Sequence, residues 1–206
     1  MYTGAGCSVP KDVVRAQFDA SVVEVSNDAF RNCKKLKVVE LNDGLQIIGN
    51  DAFRKCKSLT SITLPSTITE IGNDAFFNCK NLSELVLNDG LQKIGLGAFR
   101  YCESLESITF PSTITEIGIF AFQDCHSLSE VILHESITAI SRNAFFNCRS
   151  LEIVKFQSLS SRLSAIAGNW ADLNNKVNEV RRVVQWEDGE LFVPMAAMEE
   201  GNASIN

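Results

Sequence analysis

Residues 71–93 read I-G-N-D-A-F-F-N-C-K-N-L-S-E-L-V-L-N-D-G-L-Q-K. The landmarks of this stretch are Ala75-Phe76, then Cys79, then Leu82, then apolar residues at Leu85 and Leu87. The pair recurs at a constant step of 23 residues, as Ala29-Phe30, Ala52-Phe53, Ala98-Phe99, Ala121-Phe122 and Ala144-Phe145. Each copy brings its cysteine (Cys33, Cys56, Cys102, Cys125, Cys148) and its leucine (Leu36, Leu59, Leu105, Leu128, Leu151) at the same spacing. A longer period is superimposed. P-S-T-I-T-E-I-G at 65–72 returns unchanged at 111–118, and N-D-G-L-Q-I-I-G at 42–49 returns nearly intact at 88–95, both after 46 residues, or two units. Fixed self-similarity of this kind marks a stacked-repeat architecture.

One unit cannot bury enough apolar surface to offset the ordering of its own backbone, so the units must stack into a solenoid. The L-x-x-Φ-x-Φ segment, with Φ apolar, alternates at its end as a short strand does, with Φ inward and the intervening residue outward. Repeated strands then form a parallel sheet along one side. Pro65 and Pro111 lie just past the strand, where no ladder donor is needed. Asn42-Asp43-Gly44 and Asn88-Asp89-Gly90 supply turn residues in the alternate units. A-F-x-x-C reads as one helical turn, N-capped by Asp28, Asp51, Asp74 and Asn143. Gly97 and Phe120 hold that place in two units, which are expected to be the least well capped. The six repeat phenylalanines are expected to form one buried ladder, and Phe77, Tyr101 and Phe146 to be largely exposed.

The pattern I-G-x-x-A-F-x-x-C-x-x-L-x-x-Φ-x-Φ-P, seen best from Ile71-Gly72 to Pro111, resembles the BspA-type leucine-rich repeat over about residues 22–157. The resemblance implies an α/β solenoid: a right-handed leucine-rich-repeat coil with a concave parallel β-sheet and short helical turns on the opposite side. It also implies cell-surface, host-interaction or partner-interaction roles.

The ends are read as caps. Residues 1–10 are expected to be flexible. Residues 11–27 read as a degenerate capping repeat in which Val13, Ala16 and Phe18 take the places of Leu59, Ile62 and Leu64. The repeat array is assigned to 28–166. Trp170, Leu173, Val177 and Val180 make a helical stripe. V-V-Q-W-E-D-G-E-L-F-V-P reads as a hairpin about Asp188-Gly189, so 167–194 is expected to be a helix-plus-hairpin cap. The acidic, Ala- and Gly-rich residues 195–206 are expected to be disordered.

The chemistry-bearing residues are few. In 206 residues there are seven cysteines, of which six hold one repeat position, so they read as buried thiols; a thiol behaves there as a small hydrophobe. The ladder has no zinc-ligand spacing and no histidine partners. Cys7 lies outside it and is expected to be exposed. His126 and His134 are expected to be solvated. No nucleophile elbow, P-loop or H-E-x-x-H is present, and Gly95-Leu96-Gly97 lacks the rest of a dinucleotide fingerprint. No enzyme activity, cofactor or metal is expected. The net charge of −6 and pI near 5.0 disfavour a dedicated nucleic-acid binder. No apolar run reaches the length of a membrane span. The first residues show no basic-then-apolar leader, so the cytoplasm is the expected location, with the cell surface or secretion as the alternative.

Function is therefore sought on surfaces. The first reading is a protein-interaction module, monomeric, receiving a protein or extended peptide on its concave sheet. The second is a surface adhesion or recognition protein of the kind the family resemblance implies. The third is a structural spacer. The residues of the expected face are Glu40, Thr63, Val86, Thr109, Ile132 and Lys155, with a second row of Val38, Ser61, Glu84, Ser107, Glu130 and Ile153. Val86 and Ile132 are expected to be exposed apolar contacts. An alternative surface is a basic patch of Arg31, Lys34, Lys35, Arg54, Lys55 and Lys57 in the first two units, suited to an acidic partner.

Overall fold

The computed structural model describes residues 1–157 apart from Glu135 and Arg142, with backbone alone for Lys155, Phe156 and Gln157. The expected helix, hairpin and tail of 167–206, and the end of the array beyond 157, lie outside the described residues. Thirteen short strands occur within them and are numbered in chain order. Seven belong to the L-x-x-Φ-x-Φ segments: β1 (Arg15–Gln17), β3 (Val38–Glu40), β5 (Ser61–Thr63), β7 (Glu84–Val86), β9 (Ser107–Thr109), β11 (Glu130–His134) and β13 (Ile153–Gln157). Six more alternate with them: β2 (Glu24–Val25), β4 (Ile47–Ile48), β6 (Glu70–Ile71), β8 (Lys93–Ile94), β10 (Glu116–Ile117) and β12 (Ala139–Ile140).

The chain is a parallel β-solenoid of about six turns. Every pairing is parallel and in step with the repeat: Arg15 pairs with Val38, Ser61 with Glu84, Ser107 with Glu130 and Glu130 with Ile153. The expected alignment of the N-terminal segment with the repeat is met at β1, where Ala16 lies beside Val39. The second column, β2 to β12, forms one uninterrupted six-stranded sheet. Sequence reading treats its Φ pairs as packing positions only; a two-residue strand leaves no alternation long enough to read.

The expected helical turns are not found, and among the described residues there is no helix. The A-F-x-x-C segments are successive tight turns. In the first unit the Arg31 amide donates to the Asp28 carbonyl at 3.0 Å and the Cys33 amide to Phe30 at 3.0 Å. Alternate amides do not look back along the chain at all. Asp28, Phe30 and Asn32 donate forward to the carbonyls of Asn50, Ala52 and Arg54 in the next coil, at 2.9, 2.7 and 2.8 Å. A helix would spend those amides on its own carbonyls; here they tie coil to coil.

That geometry needs two left-handed residues per coil. Asp28, Asp51, Asp74, Gly97, Phe120 and Asn143 have φ between 52° and 61°. Four residues on, Asn32, Lys55, Asn78, Tyr101, Asp124 and Asn147 have φ between 59° and 63°. The aspartates assigned as helix N-caps therefore stand where the backbone turns left-handed, a region in which Asp and Asn are enriched and other side chains are disfavoured.

Inside, Phe30, Phe53, Phe76, Phe99, Phe122 and Phe145 are buried and stack in sequence at 5.1–5.4 Å with interplanar angles of 4–13°. Beside them run the buried leucines of the repeat and the isoleucine ladder of the second sheet. The N-terminal end of the stack is closed by Tyr2 and Phe18, tilted against Phe30 at 5.2 and 5.7 Å. Tyr2 is buried, bridges Phe18, and its hydroxyl accepts the Ser26 amide at 3.0 Å. Residues 1–10, read as flexible, thus hold a core side chain; a single aromatic at position 2 left no periodic signal in the sequence.

Candidate interaction surface

The outward positions of the first strand column fall into the two expected rows. Gln17 and Glu40 are Cα partners, as are Thr63 and Val86, then Thr109, Ile132 and Lys155. The companion row is Arg15 with Val38, Ser61 with Glu84, and Ser107 with Glu130 and Ile153. Ser61, Thr63, Glu84, Ser107 and Thr109 are exposed. Glu40, Glu130, Val86 and Ile132 are half-buried, so the last two are not the exposed contacts expected of them; Ile132 lies on β11, the central strand of three, and Val86 on β7 beside β5. Val38 is the exposed apolar residue here. The Glu40 carboxylate accepts hydrogen bonds from Arg15 and, at 2.6 Å, from Gln17, and these hold its pKa below the usual carboxylate range. It is an ionised group already engaged by its own chain.

This column is not one sheet. β1 pairs with β3, β5 with β7, and β9 with β11 and β13, but β3 is not bonded to β5 nor β7 to β9. Both breaks follow an N-D-G unit. The inter-coil bonds made by the amides of Lys37, Ser83 and Ser129 to Val14, Thr60 and Glu106 have no counterpart at Thr60 or Glu106. The side chain of the turn asparagine ties each N-D-G unit to the coil before it: Asn42 Nδ2 donates to the Asp19 and Val22 carbonyls at 2.8 and 2.9 Å, and Asn88 Nδ2 to that of Leu64. At the second break the unit is also tied forward, the Gly90 amide donating to Thr113 Oγ1 at 3.1 Å and the Ser112 amide to Asp89 Oδ1 at 3.3 Å, so side chains replace the missing ladder there. At the first break lies an open cleft of about 640 Å³, lined by Val38, Glu40, Ser61, Thr63, Pro65 and Asn88 among others.

The basic patch is divided. Arg31 pairs with Asp28 at 2.7 Å and lies 3.9 Å from Asp51. Arg54 bridges Asp51 and Asp74, each at 2.8 Å, and stacks on the Phe77 ring at 4.1 Å. Both arginines are thus neutralised within the array. Lys34, Lys35 and Lys57 stay exposed, and Lys55 is half-buried at a left-handed position. Burial pushes the Asp74 carboxyl up, against the pull of Arg54. Phe77 and Tyr101, expected to be exposed, are half-buried and meet edge to face at 5.3 Å; Phe146 is exposed as expected.

The six repeat cysteines are free and buried, and Cys7 is half-buried. Each thiol has a task. Cys56, Cys79, Cys102, Cys125 and Cys148 donate to the carbonyls of Phe30, Phe53, Phe76, Phe99 and Phe122 at 3.1–3.4 Å, one coil back. Burial pushes Cys79 up to about 12 and raises Cys56, Cys102 and Cys125 as well. These are inert thiols, far from the thiolate that nucleophilic or metal chemistry requires. His126 and His134, expected to be solvated, are half-buried: His126 Nε2 lies 3.4 Å from Asn147 Nδ2, and His134 Nδ1 accepts the Ser136 amide at 3.2 Å. Among the described residues no three His, Cys, Asp or Glu side chains are grouped to hold a metal ion, and no helix is long and apolar enough to cross a membrane.

The stacked turns, paired strand columns and Phe-Cys-Leu core coincide with the BspA type leucine rich repeat region, which matches residues 11–103 and 92–169 in six copies. The chain belongs to the BspA-type leucine-rich repeat family. Among solved structures, the repeat is similar to a leucine rich repeat protein of T. pallidum, at 34% identity and a TM-score of 0.62, over 67% of this chain and 64% of that one. It is also similar to a leucine rich cell surface protein of Faecalibacterium prausnitzii, at 26% identity and a TM-score of 0.55, over 72% and 46% of the two chains. A third, a leucine-rich repeat protein of Eubacterium ventriosum, gives 26% identity and a TM-score of 0.51 over 61% and 33%. The chain thus spans less than two thirds of the length of each of these proteins. No curated protein matches it. Leucine-rich repeats of this kind are generally protein-interaction or surface proteins.

Proposed function

We propose that this BspA-type array is a non-enzymatic interaction module that receives an extended segment of a partner protein along the face of the first strand column. The observation that carries the reading is the recurrence of exposed, small, uncharged side chains at the same positions of alternate strands, Ser61 and Thr63 on β5 and Ser107 and Thr109 on β9, on either side of Glu84 and Val86, with the cleft at the β3–β5 break beside the first pair. A long shallow strip suits a main chain with alternate side chains better than a small molecule, which needs a pocket that buries most of its surface. Residues 11–27 serve this reading as an end cap and 28–166 as the array.

The test is affinity capture from the native lysate with crosslinking. Thr63→Lys/Thr109→Lys places two long cations on exposed positions without touching the core. The variant is expected to unfold at the wild-type denaturant midpoint and to lose the captured partner at least tenfold. Equal capture by a folded variant overturns the strand-face reading. A second reading, surface recognition, is favoured by the description of the F. prausnitzii relative as a cell surface protein. Labelling of the chain by a membrane-impermeant reagent on intact cells selects it over a cytoplasmic module.

A further inference from the structure

Because each repeat can be compared with the others, a departure confined to one side of neighbouring units stands out. After the Ile-Gly step (Val25-Ser26 in the first unit), the early units carry Asn27, Asn50 and Asn73. Asn27 Oδ1 accepts the Asn50 amide at 2.7 Å, Asn50 Oδ1 the Asn73 amide at 2.7 Å, and Asn73 Oδ1 the Leu96 amide at 2.9 Å. There the side-chain ladder stops, because the next two residues in the column are Leu96 and Ile119, exposed to 46% and 42%. They sit side by side: the Gly97 amide donates to the Ile119 carbonyl at 2.9 Å. The neighbouring column changes at the same place, from Asp28, Asp51 and Asp74 to Gly97 and then Phe120. Phe120 keeps the left-handed φ of 58°, which disfavours an aromatic residue more than Asp or Asn.

The cation column changes with them. Arg31 and Arg54 have carboxylates; Arg100 has no ion pair among the described residues. Its guanidinium lies 4.9 Å from the Tyr101 ring centre and 5.4 Å from that of Phe120 and donates to the Tyr101 hydroxyl at 3.3 Å; its buried Nε, like that of Arg54, has no hydrogen-bond partner, so the difference between the two is the missing carboxylate. The nearby Asp74 is already bonded to Arg54. Units four and five have thus given up an amide ladder and a carboxylate, and adopted a disfavoured backbone residue, all around one half-buried guanidinium.

We propose that this side of units four and five is a second docking surface, for a partner segment that sets an Asp or Glu carboxylate against Arg100 and an adjacent large apolar side chain against Leu96 and Ile119. The carboxylate would do for Arg100 what Asp51 and Asp74 do for Arg54; a guanidinium held on aromatic faces with one hydroxyl acceptor and no carboxylate is suited to a two-oxygen acceptor. Scattered exposed apolar residues need no explanation. These do, because the polar alternative is built into the preceding units of the same chain. The surface is distinct from the strand face and does not depend on it.

Leu96→Asn/Ile119→Asn/Phe120→Asp restores the side chains of the early units and returns a carboxylate to Arg100. The variant is expected to be at least as resistant to urea as the wild type while losing the docking surface. Selection of a displayed random dodecapeptide library on the full chain is expected to enrich Asp or Glu beside Leu, Ile or Phe. A synthetic peptide of the selected sequence should bind the triple variant and Arg100→Gln at least tenfold more weakly, and Thr63→Lys/Thr109→Lys as tightly as the wild type. Absence of that enrichment, or wild-type affinity in the triple variant, overturns the proposal. Should the triple variant unfold below the wild type, Arg100→Gln alone decides, and unchanged affinity overturns it. Sedimentation that finds a dimer dissociated by the same substitutions identifies a second copy as occupant and overturns it equally.

Discussion

A buried thiol that donates to a carbonyl of the preceding coil is tied to its proton. For Cys56, Cys79, Cys102 and Cys125, burial raises the folded-state pKa above the ordinary value of 9.0. The unfolded chain therefore releases these protons at a lower pH than the folded one does. Their contribution to stability is whole below about pH 9 and is lost as the pH rises beyond it, by up to about 1.4 kcal/mol per thiol per pH unit. At pH 10 the four thiols therefore act together against the fold. Urea titrations under reductant at pH 7.5 and pH 10 should show that fall, and a smaller one for Cys79→Ala; identical midpoints at the two pH values would refute the argument. That the cysteines pack was legible from their fixed repeat position. Their hydrogen bond was not, since its acceptor lies 26 residues away. The repeat aspartates show the same limit: Asp favours both N-caps and left-handed turns, and only the coil-to-coil amides choose between them.

At the level of elements, the first strand column was readable because L-x-x-Φ-x-Φ alternates, and the phenylalanine ladder because its register never slips. The turns were misread as helical because Ala, Phe and a preceding Asp satisfy helix rules locally, while the competing bonds to the next coil are invisible to local reading. Stacking also sets what one core side chain is worth. Leu105 is fully buried in a coil with neighbours on both sides. Leu105→Ala should cost about 2–5 kcal/mol through lost packing and a residual cavity. Val13 is half-buried at the edge of the core, near the N-terminal end of the array, and Val13→Ala should cost less. Chemical denaturation compares the two; equal losses would mean that the N-terminal coil carries as much of the core as the middle one.

Over the whole molecule, three inter-coil tethers run in parallel: the first strand column, the second sheet and the forward-donating turns. The second sheet is unbroken from β2 to β12, whereas the first column lapses after β3 and after β7. The 46-residue superperiod was plain in the sequence, but its mechanical meaning rests on where Asn42 and Asn88 reach, which no periodicity states. Amide hydrogen exchange should find Thr60 and Glu106 less protected than Ser83 and Ser129, and equal protection would remove the basis for treating the breaks as weak lines.

A rod held together continuously along two of its sides and intermittently along the third does not have one stiffness. Between Thr63 and Glu40, and again between Thr109 and Val86, the coils can part without breaking a single ladder bond, whereas any bending that stretches the second sheet must break them. The array is a folding screen of leaves hinged along the isoleucine spine, compliant in one direction. A partner segment received on the strand face, as proposed above, would meet a surface whose curvature yields at the two breaks rather than evenly along its length.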